Sequence, residues 1–416
     1  MLRERLPGFA VAPAMAVDPA QAASSTPAAP PPKLLHRHPA DWTAAALQAL
    51  QHCGEYPSHR CWLELFEGDA DSPLVICAPH DGTLRPPQLS VRQSGTSARD
   101  TGTKGLAAAL ALEVLRRGGR RPTVLVCHLS RKVLDVNRPR EHAACAAHAD
   151  ALCAWEKYHA LQREAAQRAA AAAAAAPPRH ALLLDVHAQA HHRHSGIDAI
   201  ELGTLRPSAS DMRDGLQRLE AEAAARLAGG GAGALVGLFS MPRLAAAALA
   251  RGITLRELLV GEGALGSRLC RHGFLATPSN ELPVPPPAAA ARAVAAEVEE
   301  IVAEEAPAEA PAAAEAPAEA PAEAPAAAAA PATLFFSGAT SYPLSVLPEV
   351  IDAVQLECPI RLCAPQHWKP LARSIACAVD GLVAEHCGGL GVCCAGVPPP
   401  CECPPARRRP MAPKLT

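Results

Sequence analysis

Four clusters of polar residues each follow or close a short apolar run. They are Pro79-His80-Asp81-Gly82 after LVICA, then His128, Ser130, Arg131, Asp135, Asn137 and Arg138 after TVLVC, Asp185-Val186-His187 closing ALLLDVH, and Gln355-Leu356-Glu357. A metal hydrolase needs neutral imidazoles to bind zinc, a carboxylate to take a proton from water, and cations to hold a polarised oxygen or a substrate carboxylate. His80 and His187 belong to different runs, so they can converge on one ion and leave a coordination position open. Glu357 is the candidate base, because desolvation beside an apolar run lifts a carboxyl pKa toward neutrality. Asp100, in SARDTGT just ahead of a helix, suits either the third metal position or the helix N-cap. Asp185 is read as the partner that orients a ligand histidine, and His191 as a neighbour of the site.

The elements that must position these residues alternate in period. Leu74–Cys77, Thr123–Cys127, Ala181–Val186 and Ala199–Leu202 read as buried strands, with Leu334–Phe336 and Ala353–Leu356 following later. Thr103–Arg117, Cys145–Arg168, Ser210–Leu227 and Cys377–Glu385 read as helices, the first stopped by Gly118-Gly119. The alternation predicts an α/β fold: a mostly parallel or mixed sheet with helices on both faces. Ligands of such open sheets sit beyond the carboxyl ends of the strands, where the polar clusters fall.

Three segments read as punctuation. Residues 1–33 form an N-terminal extension or transit peptide, residues 165–178 an Ala-rich helix end stopped by Pro177-Pro178, and residues 299–331 a linker of EAPAEAP units. A single domain is therefore expected over 34–405, followed by a basic tail at 406–416.

A formal charge of −2 offers no field that would gather nucleic acid or an anionic membrane, so neither partner is expected. Aromatic residues are only 3% of the chain, and the core must be built from Leu, Val, Ile and Ala. Of the 15 cysteines, Cys77, Cys127 and Cys358 lie in strand-like runs and read as buried free thiols of a reducing compartment. The tail cysteines Cys387, Cys393, Cys394, Cys401 and Cys403 have CC and CxC spacing without paired CxxC units, which reads as a flexible thiol-rich tail, with a structural zinc knuckle as the alternative. No apolar run is long enough to span a bilayer, and a cytoplasmic or organellar location is expected, neither secreted nor transmembrane.

The strings APHDGTLRP, DTGTKGLAAALA, HLSRKVLDVNRPRE, LLLDVHAQAH with AIELG, GFLATPSNELP, FFSGAT and DAVQLECP resemble, in order, the N-formylglutamate amidohydrolases. These are relatives of the aspartoacylases and zinc carboxypeptidases. The resemblance implies a zinc-exopeptidase (phosphorylase/hydrolase-like) sheet and hydrolysis of the amide bond of a small N-acyl amino acid. It implies zinc on His80 and His187, Arg131 steadying the carbonyl oxygen, Asn137 and Arg138 holding the substrate carboxylate, and Glu357 as base. Thr83 stands where the carboxypeptidases and aspartoacylases carry a zinc-binding Glu, which leaves Asp100 to serve. Ala339 follows Gly338 where the family has Gly-Gly. Two further readings remain open: a catalytically silent relative that binds a metabolite or partner, and a zinc carboxypeptidase.

Overall fold

Strands β1 (Leu34–Arg37), β2 (Leu63–Phe66) and β3 (Leu74–Ala78) precede helix α1 (Thr103–Gly118), strand β4 (Thr123–Cys127) and helices α2 (Arg140–Ala143) and α3 (Ala149–Ala175). Strands β5 (Leu182–Gln189) and β6 (Ile200–Gly203) follow, then helices α4 (Ala209–Gly230), α5 (Pro242–Ala250), α6 (Leu255–Val260) and α7 (Leu265–Arg271). Strand β7 (Ala276–Thr277), strand β8 (Asp352–Pro359) and helix α8 (Pro365–Cys387) complete the order. This computed structural model describes residues 34–38, 61–176, 180–189, 199–204, 209–236, 238–281 and 347–387. The expected extension at 1–33, strand at 334–336, linker at 299–331, tail at 406–416 and His191 lie outside the described residues.

The eight strands form one mixed sheet in the order β1-β2-β4-β3-β5-β8-β6-β7. The central strands β4, β3, β5 and β8 run parallel, while β2 and β6 join them antiparallel. Buried residues such as Val75, Ile76, Val124 and Leu125 point alternately to the two faces, which explains why β3 and β4 are apolar at nearly every position. One face packs against α1 and α8 through Leu106, Leu110, Leu371 and Ile375; the other is covered by α3 through Trp155, Tyr158 and Leu161.

The Ala-rich stretch is the end of a helix, as read, but it belongs to the core and is not punctuation. Helix α3 continues through it to Ala175, and Ala165, Ala166, Ala169 and Ala173 are buried in the same core cluster as Leu63, Val75 and Leu183. Small side chains allow the helix backbone to lie close on the strands, so these alanines pack where larger residues would push the two layers apart.

Two strands extend past their expected ends, and the site depends on both extensions. β5 runs on to Gln189 and β8 on to Pro359, so His187 and Glu357 are paired strand residues instead of the first residues after a strand. Along the sheet Cys77 lies opposite Asp185 and Asp185 opposite Gln355; two residues on, Glu357 lies between His187 of β5 and Glu201 of β6. The alternation of the strands puts Asp185, His187, Gln355 and Glu357 on the α3 side, toward the carboxyl ends of β3, β5 and β8.

Candidate functional site

His80 leaves β3 in a turn that crosses the exit of β4. Gly82 allows this crossing, since a Cβ there would meet the Leu129 carbonyl oxygen at 2.1 Å. Asp81 then turns away from the cluster and caps α1: one carboxylate oxygen accepts from the backbone N–H of Gly102 at 3.1 Å and of Lys104 at 3.0 Å. That settles the two roles open for Asp100. The cap is Asp81, and the Asp100 side chain is free to point at the histidines.

His80, Asp100 and His187 are 0, 4 and 2% exposed and meet at one point. His187 Nδ1 lies 2.8 Å from Asp100 Oδ2, His80 Nδ1 lies 3.4 Å from the same oxygen, and the two Nδ1 atoms are 3.2 Å apart. The outer nitrogens are each held by a carboxylate: His80 Nε2 donates to Asp135 Oδ1 at 2.8 Å, and His187 Nε2 to Asp185 Oδ2 at 3.1 Å. With those protons outward, both Nδ1 lone pairs and an anionic oxygen face one another. Such a set is stable only around a cation or a shared proton. Tetrahedral zinc with bonds of about 2.0–2.1 Å places neighbouring ligand atoms about 3.3 Å apart, and the three observed separations bracket that edge. The residues therefore fit a metal ion, and a buried His80–Asp100–His187 group that can bind one is present.

The electrostatics agree. Burial pushes Asp100 upward, but its hydrogen bonds to His187 and His80 outweigh that and hold its carboxyl well below the usual carboxylate range. Burial pulls His187 down, yet Asp185 and Asp100 raise it well above an ordinary imidazole. Both directions favour a positive charge, proton or metal ion, between the two groups. Glu357, half-buried beside His187, is pushed up to about 7 by burial, with Asp100 and Glu201 adding to the rise against His187 and Arg131. Gln355 Nε2 donates to Glu357 Oε1 at 3.0 Å.

The remaining candidate residues are placed unequally. Arg131 is drawn inward: its Nε donates to Asp135 Oδ2 at 3.0 Å, and Nη1 donates to Asp100 Oδ1 at 3.4 Å. Asn137 also sits inside the cluster, where Nδ2 is 2.8 Å from His187 Nε2 and 3.4 Å from Asp185 Oδ2. This differs from the substrate-facing position expected of it. Because amide ends exchange without changing shape, the buried Oδ1 can equally accept from His187 Nε2. Arg138 stays at the surface, 35% exposed, with a long 3.8 Å pair to Asp135.

Asp135 is the residue whose part was not assigned from sequence. It is fully buried and accepts from His80, Arg131 and the Asn137 N–H, with Arg92 Nη1 at 3.5 Å. Burial raises its carboxyl, but His80, Arg131 and Arg92 outweigh that and hold it low. Its presence in the Arg131-to-Arg138 string was the available signal. Arg92 and Glu201 carried none: the first lies in a loop and the second inside a short apolar strand.

No protein-family model and no curated protein matches the chain. Among solved structures, the crystal structure of gene product Atu2144 from Agrobacterium tumefaciens is similar over 82% of this chain and 97% of that one, at 12% identity and a TM-score of 0.33.

Proposed function

We propose that this chain is a zinc-dependent amidohydrolase that cleaves the amide bond of a small N-acyl amino acid. The observation that carries the reading is the convergence of His80 Nδ1, His187 Nδ1 and Asp100 Oδ2 within 3.4 Å of one another, with Glu357 in the adjoining register position. A zinc ion in such a site supplies Lewis acidity, polarising a carbonyl and acidifying water.

The protein's own residues divide the remaining work. Glu357 is held near pKa 7, so it can accept a proton from water at neutral pH and return it to a leaving amine. Asp135 and Asp185 fix both imidazoles by their Nε2 atoms and so aim both Nδ1 atoms inward. Arg131 braces the two carboxylates nearest the centre, and its position there supports a further share in holding a polarised oxygen. Arg138 has donors to spare at the surface, which suits a bidentate grip on the carboxylate of an N-acyl amino acid.

The test is a zinc analysis joined to a hydrolysis screen of N-formyl and N-acetyl amino acids. Wild-type protein should carry about one zinc per chain and lose it in His80→Ala and His187→Ala. Glu357→Gln should keep the zinc and lose turnover by at least about a hundredfold. Unchanged zinc in both histidine variants would end the metal assignment, and undiminished turnover in Glu357→Gln would end the role of that carboxylate.

A further inference from the structure

A second gathering of metal-type donors stands at the far edge of the sheet. Strand β1 is a four-residue edge strand, parallel to β2, with Leu34 opposite Leu63 and Arg37 opposite Phe66. His36 lies within β1 and His38 just beyond it, so the two imidazoles share a face at i and i+2. Their ring centroids are 4.6 Å apart. Glu67 follows the last residue of β2, and its N–H donates to the Arg37 carbonyl at 2.9 Å. This backbone contact sets the carboxylate between the two rings, with Oε2 2.9 Å from His36 Nε2 and 3.4 Å from His38 Nδ1. The other oxygen is occupied: Arg168 of α3 donates to Oε1 at 2.7 Å. The guanidinium therefore fixes the orientation of the carboxylate and presents Oε2 to the imidazoles.

Two solvated histidines beside a glutamate would need neither a common ring face nor an anchored acceptor. Here the three donor atoms lie within 4.8 Å of one another, and they come from the ends of two adjacent strands. They stand at the carboxyl ends of β1 and β2, beside the amino end of antiparallel β4, whereas the buried cluster lies beyond the carboxyl ends of β3 and β4, so they take no part in its chemistry. We propose that His36, His38 and Glu67 bind a divalent first-row transition ion, and that the ion clips edge strand β1 to β2. Two imidazoles and one carboxylate suit zinc, nickel or copper over magnesium or calcium, and the exposure of both histidines leaves the remaining positions to water. An ion that joins two strands binds only while they are paired, so it suppresses opening of the edge by a factor of 1 + [metal]/Kd.

Nickel is the probe, because it favours imidazole and leaves free thiols unoxidised. The full-length protein, first loaded with one equivalent of zinc, is titrated with Ni2+ beside a His36→Gln/His38→Gln variant. Wild type should take up one equivalent more than the variant, while the zinc content of both stays equal. Hydrogen exchange supplies the second measurement: at free nickel ten times its dissociation constant, exchange at the β1 amides should slow about elevenfold in wild type and not in the variant. Equal nickel uptake by the two proteins would overturn the site. Unslowed β1 exchange in wild type with the extra equivalent bound would overturn the clip.

Discussion

Replacing Asp135 by Asn tests whether one buried carboxylate holds the centre together. The substitution keeps the volume and keeps an oxygen for His80 Nε2 at 2.8 Å and the Asn137 N–H at 3.0 Å. At the other atom an NH2 replaces an acceptor and faces Arg131 Nε, 3.0 Å away, with Arg92 Nη1 at 3.5 Å. A hydrogen bond to a charged group contributes about 1.5–3 kcal/mol, and removing one partner of a buried pair costs about 3–5 kcal/mol. Two part-buried guanidinium groups lose their shared anion while Arg131 keeps Asp100, so a loss of about 2–4 kcal/mol of stability is expected, below the cost of a fully buried unpaired charge. His80 also loses a charged acceptor for its outer nitrogen, which should weaken metal binding about 10–100-fold. Urea denaturation followed by Trp155 and Trp368 fluorescence reads the first quantity, and competition with a chromophoric chelator reads the second. Asp352→Asn is the control. Asp352 is also fully buried and accepts from His180 and the Leu244 N–H, but it begins β8, away from Glu357. It should destabilise the fold and leave metal affinity untouched. Metal affinity within twofold of wild type in Asp135→Asn, with a stability loss under about 1 kcal/mol, would refute the assignment of Asp135 as the anchor.

Metal uptake should release about one proton at pH 7, because His187 is raised well above an ordinary imidazole and its proton must leave; affinity then falls about tenfold per unit as pH drops. Calorimetry in buffers of different ionisation enthalpy measures this, and zero release would contradict it. Glu357 has a folded pKa of about 7, above its unfolded value near 4.5, so its contribution is fully present below pH 4.5 and is lost as pH rises through 7. Glu357→Gln should accordingly stabilise the metal-free protein above pH 7, by no more than about 3 kcal/mol and less where water reaches the carboxylate. Gly102 has φ of 91°, and a Cβ there would meet the Cys363 carbonyl oxygen at 2.0 Å. Gly102→Ala should destabilise by several kcal/mol and, by shifting the turn after Asp100, also lower zinc content. Ala166→Leu, at a fully buried position of α3, should cost about 1–3 kcal/mol by thermal denaturation; a neutral result would mean that the helix can lift off the sheet freely.

Much of the fold was legible because its signals are local. The runs 74–78 and 123–127 are buried on both sides, and strands of that kind are apolar at consecutive positions. The ends of β5 and β8 were not legible, since Asp185, His187, Gln355 and Glu357 interrupt the apolar pattern while the backbone ladder continues beneath them. The Ala-rich tract was read as a helix end, and only its burial was missed, for a related reason. Alanine carries little hydrophobic signal, and its value in α3 comes from the close approach of the helix to the sheet. Asp81 and Asp100 both precede α1, and sequence spacing alone did not separate the capping residue from the one that faces the histidines.

By itself the sequence determined which side chains were available: two histidines and a glutamate among parallel-strand runs, with arginines and carboxylates close behind. Residue type and apolar period are properties of neighbours along the chain. The tertiary structure alone decided which of them meet. Sheet order sets β3 beside β5 and β5 beside β8, so His80, His187 and Glu357, far apart in sequence, become neighbours. Asp100 reaches them only because Asp81 takes the helix cap, and Asp135 unites His80, Arg92 and Arg131 only because the loop after β4 folds back over the exit of β3. Hydrogen-bond distances and desolvation depend on that nonlocal packing, and no local pattern records them.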